Sequence, residues 1–172
     1  YWAHKNGISS TKQKQKKGLI RLAAMLHDVG KIGVPDKILK KKGPLNKKEF
    51  KIMSNHTLYG ATLFTNKQSE LDEMSHEIAL YHHESWDGSG YPHGKKFDEI
   101  PISARIVSIT DVFDALMSKR SYKEPFTEEY SLEQLKKLSN THFDPNLISC
   151  FFDIYETIKA TRNKFLSKYE RL

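Results

Sequence analysis

A chain of 172 residues, 38% of them hydrophobic and 11% aromatic, can bury one sizeable core and is too short for two ordinary domains. The net charge of +7 invites an anionic partner, yet the lysines gather in TKQKQKKG, spaced like the wet face of a helix, and in KILKKKGPLNKK, which reads as a loop. With no RNP-like aromatic pattern, zinc-finger spacing or helix-turn-helix signature, a nucleic-acid polymer is not the expected partner.

Apolar residues recur at helical spacing and nothing alternates over strand length, so the expected fold is all-α. Ser9 or Ser10 can cap a first helix running to about Val29, with Leu19, Leu22, Ala23 and Leu26 on its core face and Gly30 and Gly33 ending it. Asn46 followed by Glu49 is a capping signal for a second helix carrying Phe50, Met53, His56 and Tyr59. A third helix is expected from about Glu70 to Glu84, closed by the glycine-rich run that ends in GYP. A very apolar helix follows from about Ile102 to Ser118. Thr127 can cap a short helix to Leu138, and Asp144 before Pro145 opens a final helix toward the C-terminus. The only cysteine, Cys150, lies among apolar neighbours, which excludes an internal disulfide and favours a buried thiol in a reducing compartment. No charged leader or long apolar segment is present, so neither a signal peptide nor a membrane span is expected, and the opening YWAHKNG reads as a piece of a longer polypeptide.

Polar groups with chemistry stand at the ends and insides of these helices. His27 and Asp28 fall where the first helix leaves regular structure, although the dipeptide by itself is more often no more than a cap and a core imidazole. Asp111 lies in a helix so apolar that burial is expected, and a buried carboxylate costs several kcal/mol unless it is paired or bound to a cation. Asp114, three residues on, shares its face and makes a hydrogen-bonded pair the competing explanation. His82 and His83 point about 100° apart on a helix, so they can flank one point at a crowded helix end. Imidazoles and carboxylates from separate helices, with His56 from a third direction, suit a hydrolytic metal site better than a cysteine-based structural one.

The strings HDVGKIGVPDKIL, SNHTLYGA, HHESWDGSGYP, ARIVSITDVFDALMSKRSYK and THFDP, in that order, resemble the HD-GYP family across nearly the whole chain. The resemblance implies an all-α, HD-domain/PDEase-like helical bundle with a five-helix core and a GYP loop. It implies one domain over residues 1–172, with a first ligand helix upstream and His4 exposed. It implies a bacterial, cytoplasmic phosphodiesterase that hydrolyses cyclic di-GMP to linear pGpG, GMP or both, through a hydroxide bridging two or three divalent metals, iron or manganese. The metal ligands it implies are His27, Asp28, His56, His82, His83 and Asp111, with Asp28 bridging. Lys31 and Asp28 become the catalytic pair, and Lys31, Gly90, Tyr91, Asp114, Arg120 and Lys123 the substrate-binding set.

From the residues themselves, Gly88 and Gly90 can adopt positive φ and let a phosphate approach the backbone. Trp86 and Tyr91 offer stacking or packing surface, and Arg120 and Lys123 can clamp a phosphodiester or sit as solvated helix-end charges. His76, His93 and His142 match no ligand position and are expected to be structural or superficial. The resemblance implies an upstream sensory or receiver domain as partner, and leaves open a homodimer or a diguanylate cyclase-type partner. The alternative to an enzyme is a cyclic-dinucleotide sensor or protein-interaction module that keeps the pocket without turnover. Intact HD, HH and Asp111 positions favour the enzyme, because a pure sensor has no need of them.

Overall fold

The computed structural model describes residues 7, 9–66, 68–118 and 124–169. Among these the chain is helical: α1 (Ser10–Ala24), a 3-10 turn (Val29–Gly33), α2 (Asp36–Leu39), α3 (Lys47–Ser54), α4 (His56–Thr62), α5 (Glu70–Tyr81), a second 3-10 turn (Phe97–Glu99), α6 (Ile102–Met117), α7 (Glu128–Lys137), α8 (Pro145–Asp153) and α9 (Tyr155–Tyr169). The all-α expectation holds, and no named strand occurs among the described residues. None of the described helices is long and apolar enough to cross a membrane.

Several starts follow from local chemistry. Asn46 accepts from the Glu49 amide at 3.0 Å while Glu49 accepts from the Asn46 amide at 2.8 Å, closing the expected capping box of α3. Ser69 caps α5, Thr127 caps α7, and Asp144 caps α8 with Pro145 at the first helical position.

Other boundaries differ from the sequence reading. The first helix ends at Ala24 rather than near Val29, because the amides of Met25, Leu26 and His27 turn back to carbonyls three residues earlier. Leu22 is 46% exposed, so it does not belong to the core face expected of it, whereas Ala23 is buried as expected. The second helix is divided at Asn55 into α3 and α4, and the last is divided at Ile154 into α8 and α9. At the first break, the Asn55 amide donates to Ile52 O at 3.3 Å before the Tyr59 amide bonds Asn55 O at 2.9 Å, a tightening after which His56 starts a new helix.

The larger apolar cluster joins Ile109 and Phe113 of α6 to Leu135 of α7, Phe143, Leu147, Ile148 and Phe151 of the α8 region, and Tyr155 of α9. A smaller one joins Ala23 of α1, Ile78 of α5 and Val107 of α6. Cys150 is a buried free thiol, as expected. Helix α5 packs against α1, α4 and α6, and α4 also packs against the first 3-10 turn. These contacts bring the ends of α1, α4 and α5 and the middle of α6 to a common point. Gly30 permits the closest approach: a Cβ there would lie 2.0 Å from His56 O and 2.3 Å from the Gly60 nitrogen.

Candidate metal centre

Burial and hydrogen bonds to backbone carbonyls orient His56 and His82. His56 and His82 are each about 1% exposed. His56 Nδ1 donates to Met53 O at 2.8 Å, and His82 Nδ1 donates to Ile78 O at 2.9 Å. In a neutral ring that engages its proton at Nδ1, the lone pair stands at Nε2. Those lone pairs meet: His56 Nε2 and His82 Nε2 are 3.4 Å apart. Asp28 Oδ1 lies 3.4 Å from His56 Nε2 and 3.8 Å from His82 Nε2, and this buried oxygen has no hydrogen-bond donor. Acceptors facing acceptors in a buried place repel one another unless a cation lies among them. His83 completes this group, all four residues offering a ligand atom within 4.8 Å of the others.

The other Asp28 oxygen faces elsewhere. Oδ2 is 3.3 Å from His27 Nε2 and forms a close ion pair with Lys31. His27 Nε2 is also 3.7 Å from Asp111 Oδ1, and His27 Nδ1 donates to Ala24 O at 2.7 Å. One carboxylate therefore divides its oxygens between the His56–His82–His83 group and the His27–Asp111 pair. Asp111 is half-buried, its side chain 34% exposed, not sequestered as the apolar helix suggested.

The electrostatics follow this division. Burial pushes the pKa of His82 down to about 4, reinforced by the positive His27, and that of His83 down to about 3, reinforced by His82 and His56. Burial also lowers His56. At His27 burial acts in the same direction, but pairing with Asp111 and Asp28 outweighs it and raises the pKa to about 10. Burial resists ionisation of Asp28, yet His27 and Lys31 hold its carboxyl well below the usual carboxylate range; pairing with His27 likewise lowers Asp111. Neutral imidazoles thus face Oδ1, whereas a proton on His27 neutralises the carboxylates around Oδ2. This donor set of imidazole nitrogens and carboxylate oxygens, with an orphaned buried oxygen at its centre, fits divalent transition metals.

The loop after His83 forms the wall. Tyr91 lies nearly parallel to His83, ring centroids 4.9 Å apart at 26°, and its amide donates to His83 O at 3.1 Å. Gly88 has the expected positive φ of +86°, but Gly90 does not; a Cβ on Gly90 would lie 2.2 Å from the Ser85 nitrogen, so its missing side chain serves the chain's crossing over residues 84 and 85. Trp86 packs against Phe97 and lies under the Arg105 guanidinium, the packing alternative of the sequence reading. Asp114 is exposed and accepts from Ser118 Oγ at 3.2 Å. Arg120, Lys123 and His4 lie outside the described residues. His76 Nδ1 donates to Ala61 O at 3.0 Å, and His142 bonds Ser85 Oγ at 2.8 Å, both away from the cluster.

Sequence reasoning assigned no task to Glu84 beyond its place in HHE. It is 2% exposed, and its Oε1 accepts from the His93 amide at 2.8 Å, tying the far side of the loop to the residue that follows the paired histidines. The signal was its position: a carboxylate in a string otherwise made of ligands and turn formers.

A helical bundle that gathers a histidine–aspartate pair with further imidazoles at the ends of several helices is the architecture of a metal-dependent phosphohydrolase fold. The HD domain family model matches residues 2–147, and the chain belongs to that family, within its HD-GYP branch. It is 42% identical over 160 residues to a 3'3'-cGAMP-specific phosphodiesterase 2 of Vibrio cholerae, covering 93% of this chain and 30% of that protein. It is 45% identical over 139 residues to a cyclic di-GMP phosphodiesterase of Thermotoga maritima, covering 81% and 38% respectively. A cyclic di-GMP phosphodiesterase response regulator of Xanthomonas campestris is 44% identical over 130 residues, 76% of this chain and 34% of that one. The chain thus spans about a third of the length of these relatives. A crystal structure of a cyclic GMP-AMP specific phosphodiesterase from V. cholerae shares the fold, with a TM-score of 0.56 at 21% identity over 80% of this chain and 38% of that one.

Proposed function

We propose that this chain is the hydrolytic domain of a metal-dependent phosphodiesterase acting on a 3′,3′-cyclic dinucleotide, cyclic di-GMP first. The observation that carries the reading is Asp28, whose Oδ1 lies unpartnered among imidazole lone pairs while Oδ2 faces His27. Two or three cations, iron or manganese, would be held by His27, Asp28, His56, His82, His83 and Asp111, with Asp28 shared. Such cations supply Lewis acidity toward a phosphoryl oxygen and make a water acidic enough to attack at neutral pH.

The chain's own residues do the rest. Low pKa values keep His82 and His83 neutral and ready as donors at pH 7. Lys31, beside Asp28, is placed to turn its ammonium to a phosphate oxygen as charge grows there; one well-placed charged or polar donor contributes on the order of 3 kcal/mol. Tyr91 holds the plane of His83 and, with the backbone at Gly90, edges the opening where the dinucleotide enters. Arg120, Lys123 and Asp114 complete the proposed substrate contacts. Cleavage of one ester gives the linear pGpG and a second gives GMP. The names of the relatives support a cyclic dinucleotide as substrate, and the V. cholerae cGAMP-specific relative, which aligns with 93% of this chain, supports 3'3'-cGAMP as a second candidate. A cytoplasmic bacterial enzyme with an upstream sensory or receiver domain, active alone or as a homodimer, accords with this reading.

The test is incubation of manganese- or iron-loaded protein, prepared anaerobically, with cyclic di-GMP and 3'3'-cGAMP separately, followed by chromatography of the products. Linear dinucleotide or mononucleotide from either supports an enzyme and ranks the substrates. Tight binding with no cleavage of either replaces the enzyme with a sensor.

A further inference from the structure

Phe50, on the second helix expected from the sequence, does not enter the core. Its ring is 50% exposed on α3, although an aromatic ring of that size gains most by burial. Instead it meets Tyr91 edge to face, centroids 5.6 Å apart and planes at 82°. Tyr91 in turn lies against His83, which belongs to the candidate metal cluster. An aromatic line therefore runs outward from the cluster through Tyr91 and ends on Phe50. In an edge-to-face contact one ring offers only its edge, so Tyr91 covers at most one face of Phe50, whose side chain is half exposed. The exposed lysines 47, 48 and 51 on the same helix add positive potential beside the ring.

We propose that Phe50 is a stacking platform for one nucleobase of the substrate, positioned by Tyr91 while the scissile phosphodiester lies at the metal centre. The inference rests on the cyclic-dinucleotide reading above and deepens it. A base presents a flat π-face whatever its hydrogen-bonding edge, so this contact favours nucleotides over base-free phosphodiesters without choosing guanine over adenine. The selection it makes is for substrate class.

The test compares kcat/KM for cyclic di-GMP with kcat/KM for bis(p-nitrophenyl) phosphate, a phosphodiester without a nucleobase. In Phe50→Ala this ratio falls roughly 5- to 100-fold, and Phe50→Trp restores it. An unchanged ratio overturns the platform, and so does a parallel loss on both esters, which marks a disturbed loop instead. A second readout needs no turnover: with chelator-treated protein, cyclic di-GMP quenches the fluorescence of Phe50→Trp beyond its effect on the native protein, and dimethyl phosphate does not. Absence of extra quenching also overturns it. If the native protein cleaves the base-free ester but neither cleaves nor binds a cyclic dinucleotide, the substrate reading itself has failed, a result obtained before any variant is made.

Discussion

His56 Nε2 and His82 Nε2 face each other across 3.4 Å, each ring having given its Nδ1 proton to a backbone carbonyl. Two lone pairs held this close need a positive charge between or beside them. Protonation is a poor supply, since burial pushes His82 down to about 4. A divalent cation is the better one, and its competitor in the metal-free protein is the proton on His27, whose pKa stands near 10. Metal binding at His27 must displace that proton. Manganese affinity is therefore expected to tighten about tenfold per pH unit between roughly pH 6 and 8, one proton leaving per binding event. The sign for stability is the reverse in the chelated protein: His27 is raised above 6.5, so its contribution is complete below pH 6.5 and fades as pH rises through about 10. Calorimetric titration in buffers of differing ionisation enthalpy reads the released proton; affinity independent of pH contradicts the arrangement.

Asp28 is the residue on which the centre turns. Asp28→Asn keeps the volume and one acceptor oxygen but removes the charge and aims N–H groups at imidazoles or His27. Loss of a metal-linked hydrogen-bond partner already costs 10- to 100-fold in metal affinity or activity, and a shared ligand should cost roughly 100-fold or more in both. Metal analysis alongside turnover checks this. Full metal content with normal hydrolysis would remove Asp28 from the centre.

Gly30 lets the 3-10 turn that follows Asp28 rest on the backbone of α4. In Gly30→Ala the added carbon meets His56 O at 2.0 Å and the Gly60 nitrogen at 2.3 Å, backbone atoms that cannot rotate away. Overpacking of this kind typically costs about 1–3 kcal/mol, and here it also separates Asp28 from His56. Denaturant midpoint and manganese affinity are expected to fall together. Gly60→Ala is milder, its nearest neighbour being the Ala79 side chain at 3.2 Å. Equal, small effects from the two substitutions would contradict the tight crossing.

The helices were legible where capping chemistry marked them: Asn46 with Glu49, Thr127, and Asp144 with Pro145 all stand where their side chains predict. The cluster was legible for a different reason. Motif order placed His27, Asp28, His56, His82, His83 and Asp111 together, and the structure does converge them. Periodicity gave no access to the breaks at Asn55 and Ile154, because apolar spacing continues across the tightened turns there. Nor could it show that Leu22 and Phe50 stay exposed, since which apolar residues a helix buries depends on the partners that pack against it. Glu84 was given no role because its partner is a backbone amide, which no sequence pattern marks: its Oε1 accepts from the His93 amide nine residues on.

That bond to the His93 amide gives Glu84 a measurable task. The carboxylate is buried, its Oε2 has no partner of its own, and Glu84 lines a small cavity together with Arg105, Ser108 and His142. Glu84→Ala leaves the His93 amide without its acceptor, a loss of about 1–3 kcal/mol for a group cut off from water, and frees the loop that carries Tyr91 to His83. Glu84→Gln can keep the acceptor oxygen on His93 and should stay close to the native protein in loop order. Trypsin provides the readout, because Lys95 and Lys96 lie just beyond His93. Cleavage there is expected to rise on the order of tenfold in the alanine variant, from a loss of about 1.4 kcal/mol in loop closure, and little in the glutamine variant. Resistance to trypsin in the alanine variant equal to that of the native protein would mean that the contacts of Tyr91 with His83 and Phe50 hold the loop without Glu84.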